Sequence, residues 1–198
     1  MINEVFNVLK KTELIEWIAF FTSIIYVFLA SKLNKLCWLF AIISSIAYCI
    51  LSFQYTLYFE SFLQIFYVLV AIYAWLNWNK KEDRIVSNFN IRTHLFFIIL
   101  LGIISILLGW IFQNYTNQFN PYLDAGIFVF SLFATYLLSI KKIENWIYFI
   151  VIDIMASYLF FNRNLYLTFV LYIFYTILAV YGYKSWKNIQ CSIHRTRM

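Results

Sequence analysis

Long apolar runs, broken at short intervals by Lys, Asn and Asp, make up most of this 198-residue chain. A bilayer core needs about 20 predominantly apolar residues to be crossed as a helix. Seven stretches meet that need: 14–31, 36–53, 60–78, 93–112, 122–140, 144–161 and 165–184. In lipid every backbone N–H and C=O must find its partner within the protein, so these spans are expected to be helices. A barrel would instead show short segments of alternating polarity. The fold class expected is therefore an all-α membrane protein with seven transmembrane helices.

Within the spans the polar positions fall on stripes at helical spacing. Trp146, Ile150, Asp153 and Ser157 share one face of the sixth span, and Tyr172, Tyr175, Thr176, Ala179 and Tyr183 one face of the seventh. Gln64, Tyr67, Val68, Ala71 and Trp75 line up in the third, and Asp124, Ser131 and Thr135 in the fifth. Lipid gives such stripes no partners, so they are expected to face the interior of the bundle.

Composition agrees with this picture. Hydrophobic residues make up 64% and charged residues only 12%, where a soluble domain has about a quarter charged. That excludes a water-soluble globule and a disordered chain. Cys37, Cys49 and Cys191 are far apart and form no CxxC pair, which argues against a disulfide scaffold or a zinc knuckle. The net charge of +6 is spread between apolar runs rather than gathered on one surface, so no nucleic-acid partner is expected. A cleaved signal peptide is not expected, because the first apolar run lacks a small-residue exit.

The placement of charge predicts orientation. Twelve Lys and Arg fall on one side: Lys32, Lys35, Lys80, Lys81, Arg84, Arg92, Lys141, Lys142, Lys184, Lys187, Arg195 and Arg197. Only Lys10, Lys11 and Arg163 fall on the other. The N-terminus is thus expected outside and the C-terminus in the cytoplasm.

A shift of 108 places the first three spans on the last three without a gap. Residues 16–78 then meet 124–186, and 18 of 63 positions are identical, including Trp38/Trp146, Tyr67/Tyr175, Ala71/Ala179 and Trp78/Trp186. Chance would give roughly one in ten for so biased a composition. An odd-numbered repeat emerges inverted unless one helix intervenes, and the span 93–112 matches neither copy. The expected architecture is a 3+1+3 parallel pseudo-repeat. It has an N-terminal segment 1–13, a first repeat 14–78, a linker 79–121 with the inverting helix 93–112, a second repeat 122–186 and a tail 187–198. Such symmetry occurs among transporters, with substrate at the repeat interface.

Candidate chemistry is sparse. There is no phosphate-cradling loop, HExxH or G-x-S-x-G, so no enzyme, cofactor or metal centre is expected. His94 and His194 lie without ligand partners at metal spacing. Asp153 sits mid-span, where an acid costs about 2.5–3.5 kcal/mol on insertion scales and marks function by default. The substrate-binding candidates are Asp153, Gln64, Tyr67, Asn145, Trp146, Tyr172, Tyr175, Trp38 and Glu60, suited to a flat organic solute, especially a cation held against aromatic faces. Glu16, Asp124, Glu60 and Glu144 lie near span ends and are expected at the interface, as is Asn145. Trp17, Trp78 and Trp186 are expected as interfacial belt residues, with Trp186 exposed.

Several blocks resemble PnuC-type vitamin transporters. They are Trp38-Leu-Phe-Ala-Ile-Ile-Ser, Leu57-Tyr-Phe-Glu-Ser-Phe-Leu-Gln-Ile-Phe-Tyr and Ile72-Tyr-Ala-Trp-Leu-Asn-Trp in the first half. In the second half they are Tyr122-Leu-Asp, Lys141-Lys-Ile-Glu-Asn-Trp, Ile152-Asp, Asn164-Leu-Tyr-Leu-Thr and Val180-Tyr-Gly-Tyr-Lys-Ser-Trp. The resemblance runs from about residue 14 to 187. It implies a SWEET-like fold in a bacterial inner membrane and carriage of nicotinamide riboside, with thiamine- and riboflavin-carrying relatives. It also implies facilitated diffusion, with a cytoplasmic vitamin kinase trapping the product; a homo-oligomer is compatible with it. The family usually has Gly where this chain has Ala41 and Ala74, and Asp where it has Glu60, departures that bear on which vitamin is carried. A proton-coupled carrier using Asp153 is the alternative mechanism.

Overall fold

The computed structural model describes residues 14–54, 58–78, 86–115 and 120–196, with side chains at all of these except 58, 59 and 193–196. The segment 1–13 with Lys10 and Lys11, the linker residues Lys80, Lys81 and Arg84, and Leu57, Asn117 and Arg197 lie outside the described residues, as do the side chains of His194 and Arg195. Seven helices form in the described chain: α1 (Leu14–Ser31), α2 (Cys37–Gln54), α3 (Tyr58–Asn77), α4 (Ile91–Tyr115), α5 (Pro121–Ser139), α6 (Asn145–Asn162) and α7 (Tyr166–Thr196). All seven are long and apolar enough to cross a membrane. Six agree with the hydropathy spans to within three residues at each end. The exception is α7, whose 31 residues reach about 46 Å at 1.5 Å per residue, well beyond a 30 Å hydrocarbon core. Beyond the span, Gln190 Nε2 donates to Asn88 Oδ1 of the 86–90 segment.

In each repeat the middle helix packs between the other two: α2 between α1 and α3, α6 between α5 and α7. The repeats meet where α1 packs on α7 and α3 on α5, which closes a ring of six helices, while α4 lies outside the ring against α5. This packing fits the 3+1+3 reading. Small residues make the close approach possible. Ala30, Ala71, Ala74, Ala125, Ala134, Ala156 and Ala179 are all buried between helices. At Gly182 a Cβ would stand 2.7 Å from ring carbons of Trp146, so α6 and α7 touch there only because α7 has no side chain. The outward faces are apolar throughout, as at Ile99, Ile103, Ile106 and Trp110 on α4.

The repeat is visible atom by atom at the turns. Both α1 and α5 end in a Schellman motif, the 6→1 hydrogen bond running from Asn34 N to Leu29 O at 3.0 Å and from Lys142 N to Leu137 O at 2.9 Å. The left-handed residue of that motif is usually Gly; here it is Leu33 (φ 53°) and Lys141 (φ 58°), which are repeat mates. A third such end, at Asn164 (φ 59°), closes α6.

The segment 86–90 straps the second of these turns. Ser87 N donates to Lys141 O at 3.2 Å and Ser87 O accepts from Ile143 N at 3.1 Å. Phe89 N donates to Glu144 Oε1 at 2.8 Å, which also lies 3.3 Å from His94 Nε2. Glu144 therefore ties α4 and the 86–90 segment to the start of α6. The neighbouring Asn145, first residue of α6, is fully buried among the helices at that end.

Candidate functional site

The interior of the ring has three levels. At the end bearing the two Schellman turns, four tryptophans fill the bundle. Trp38 stands edge-on to Trp78 with ring centroids 5.2 Å apart and planes at 90°; their repeat mates Trp146 and Trp186 stand at 5.5 Å and 89°. Each pair ties itself to the opposite repeat. Trp78 Nε1 donates to Ser139 O at 2.8 Å, and Trp186 Nε1 to Ala30 O at 3.1 Å. Trp186 is 0% exposed and Trp78 only 6%, which overturns their reading as interfacial belt residues. Both stand near the ends of apolar runs, followed by Asn and Lys, so hydropathy alone placed them at an edge. Tertiary packing places them in a core.

The middle level is a set of hydroxyls and one acid. Tyr67 lies within hydrogen-bonding reach of Ser131 and Thr135, and its mate Tyr175 within reach of Ser23, the mate of Ser131. The third helix of each repeat thus meets the first helix of the other through the same Tyr–Ser pair. Asp153 is buried within electrostatic reach of Tyr67, Tyr172 and Tyr175.

The third level, at the opposite end from the tryptophans, is an open cleft of about 410 Å³ including its mouth, lined by Glu60, Leu63, Gln64, Tyr67, Asp124, Ile127, Phe128, Ser131, Phe160 and Tyr172. Glu60, Gln64 and Tyr67 recur at spacings of 4 and 3 on α3, and Asp124, Ile127 and Ser131 at 3 and 4 on α5, so each helix turns one face inward. Phe160 and Tyr172 form a third wall, stacked at 5.2 Å with planes 12° apart. At the rim Arg163 Nη2 holds Asp124 Oδ2 at 2.8 Å.

Four of the nine sequence candidates, Glu60, Gln64, Tyr67 and Tyr172, therefore line one cleft. Tyr175 and Asp153 sit directly behind it. Trp38, Trp146 and Asn145 do not line it; they lie in the tryptophan level, fully or almost fully buried. Phe128, Phe160 and Arg163 were not singled out from sequence. Phe160 and Arg163 sit near the end of an apolar run, where nothing in the local pattern distinguishes a cleft wall from a lipid-facing position. Asp124 was read as interfacial, although its stripe with Ser131 was the signal that could have placed it.

This geometry can be set beside known proteins. Residues 13–188 match the family described as nicotinamide mononucleotide transporter. The chain belongs to that family. It is 22% identical over 180 residues to the nicotinamide riboside transporter PnuC of Escherichia coli K12, covering 76% of this chain and 75% of that protein. It is 24% identical over 126 residues to the riboflavin/roseoflavin transporter RibM of Streptomyces davaonensis, covering 59% of this chain and 58% of that one. Its fold is similar to the crystal structure of the vitamin B3 transporter PnuC, with a TM-score of 0.78, 21% identity, and coverage of 96% of this chain and 88% of that one. Family membership makes the chain a multi-pass membrane transporter of the PnuC vitamin family and not an enzyme.

Proposed function

We propose that this transporter carries nicotinamide riboside across a bacterial inner membrane by facilitated diffusion, with the cleft facing outward in the state seen. The observation that carries the reading is the contrast along the ring axis: an open, polar and aromatic cleft at one end, and four interlocked tryptophans sealing the other. A carrier working by alternating access needs one end closed while the other is open. Charge supports the direction. Lys32, Lys35, Arg92, Lys141, Lys142, Lys184 and Lys187 lie at the tryptophan end, whereas Arg163 lies at the cleft end. The positive-inside rule makes the tryptophan end cytoplasmic, with the N-terminus outside and the C-terminus inside.

The cargo reading rests on the PnuC likeness and on a cleft with stacking rings, an amide at Gln64 and carboxylates at Glu60 and Asp124. A second reading, riboflavin, is favoured by the RibM likeness. Thiamine, flat and cationic, suits the same walls. A carrier with no differential interaction with a driving ion equilibrates its cargo and cannot concentrate it, so a cytoplasmic vitamin kinase supplies the trapping. Titration of the purified protein with nicotinamide riboside, thiamine and riboflavin tests the cargo, and tight binding of none of the three removes the reading. Liposomes should fill only to the outside concentration unless ATP and the kinase are sealed inside. Accumulation driven by a proton gradient without kinase would make Asp153 a coupling residue instead. Cysteine placed at Asn117 should be labelled from outside intact cells and cysteine at Lys187 should not; the reverse pattern inverts the orientation.

A further inference from the structure

We infer that Glu60 reads the charge of the cargo and that Arg163, by neutralising Asp124, sets the cleft to accept one positive charge on an aromatic ring. The inference rests on the vitamin reading above and deepens it. Among the described residues the cleft lining contains two carboxylates, Glu60 and Asp124, and no Lys or Arg. Arg163 comes from the turn after α6 and covers Asp124 at 2.8 Å. Glu60 lies within electrostatic reach of both members of that pair. Among the described lining and rim groups, two carboxyls therefore stand against one guanidinium, a surplus of one acid.

That surplus decides which cargo can dry the cleft. Glu60 is half-buried in the cleft. A neutral ring lying against the wall that the stacked Phe160 and Tyr172 form covers the Glu60 carboxyl and gives it no opposite charge, which is costly for its ionised form. A ring with one fixed positive charge supplies that opposite charge, and the aromatic wall attracts the cation further. Asp153 serves this discrimination less directly, because it stands behind Tyr67 and Tyr172 rather than in the lining. Arg163 is a positioning residue here: it touches Asp124, not the cargo, and its effect is on the sum of charges.

The test uses a matched pair of probes, nicotinamide riboside with its cationic pyridinium and the dihydro form, whose ring is neutral and nearly the same shape. Calorimetry on the purified full chain should show wild type binding the cation about tenfold tighter or more, the scale of one partly screened charge pair. Glu60→Gln should weaken the cation about tenfold and the neutral form little, which collapses the ratio. Arg163→Gln should raise the ratio by exposing the Asp124 charge, and the double variant Asp124→Asn with Arg163→Gln should restore it. A purely structural rim would instead weaken both probes together and leave the ratio unchanged in every variant, which overturns the inference. Should Glu60→Gln not fold, wild type and Arg163→Gln still decide: equal affinity of wild type for both probes, or an unmoved ratio in Arg163→Gln, overturns it. Tight riboflavin binding with neither nicotinamide probe bound overturns the charge assignment while leaving the vitamin reading standing.

Discussion

The two ends of the helix ring treat the internal repeat in opposite ways. At the tryptophan end the copies are near replicas: Trp38/Trp78 and Trp146/Trp186 adopt the same edge-on geometry. Leu33 and Lys141 adopt the same left-handed turn, and each repeat donates one indole N–H to the other. At the cleft end the mates agree only in part. Leu63, Tyr67, Phe128 and Ser131 have identical mates, but Glu60 faces Thr168 in the alignment, Gln64 faces Tyr172, Asp124 faces Glu16 and Phe160 faces Ser52. A seal that two similar bundles must make and break can be symmetric throughout. A site for an asymmetric small molecule needs different partners for its different groups. Symmetry is kept for closure and relaxed for recognition.

The largest effect expected from breaking this comparison is at the seal. Trp186→Ala and Trp78→Ala each remove a buried indole and a cross-repeat hydrogen bond, and should each cost about 3–5 kcal/mol, read as a lower thermal midpoint in detergent. Similar losses are expected from the two, because the environments are mates. Close similarity of stability between either variant and wild type would show that the tryptophans do not hold the repeats together.

Next comes a substitution that splits the pair. Gly182→Val drives a branched side chain into Trp146, and overpacking of this kind costs about 1–3 kcal/mol. Its mate is Ala74, which already carries a Cβ and is fully buried. Ala74→Gly should cost about 0.5–1 kcal/mol, from helix propensity. Equal effects at the two positions would mean that the α6–α7 contact is no closer than the α2–α3 one.

At the cleft, Gln64→Leu and Tyr172→Leu should weaken vitamin binding by about 1–3 kcal/mol each, the scale of a lost polar contact or a lost stacking face. Both should leave the thermal midpoint nearly unchanged. Trp146→Phe supplies the contrast, since it should move stability and leave cargo affinity within about threefold. A reversed pattern, with Trp146 governing affinity and Gln64 governing stability, would move the site from the cleft to the tryptophan level.

The smallest effect is within the seal. Among the described residues, the indole nitrogens of Trp38 and Trp146 are buried without a hydrogen-bond partner, whereas those of Trp78 and Trp186 have one. Trp78→Phe should therefore cost about 1 kcal/mol more than Trp38→Phe, measured by parallel thermal melts. Identical costs would show that the bond to Ser139 contributes nothing net.

The sequence alone determined seven apolar helices, the 108-residue repeat and the inward stripes of α3, α5 and α7, and it placed Glu60, Gln64, Tyr67 and Tyr172 among the candidates. These follow from local physics: length against bilayer thickness, and a 3.6-residue period that puts polar residues on one face. Only the tertiary structure decided which polar stripes share a space. Periodicity fixes which way a residue points on its own helix but not its depth along the bundle or its neighbour across it. Trp38 and Trp146 were on the inward face, yet they lie at the level of the seal, one bundle end away from the cleft. Trp78 and Trp186, near the ends of apolar runs, looked interfacial until two turns from the opposite repeat closed over them. Arg163 carried no local signal, because its role comes from Asp124, 39 residues earlier, brought to it by the packing of α5 against α6.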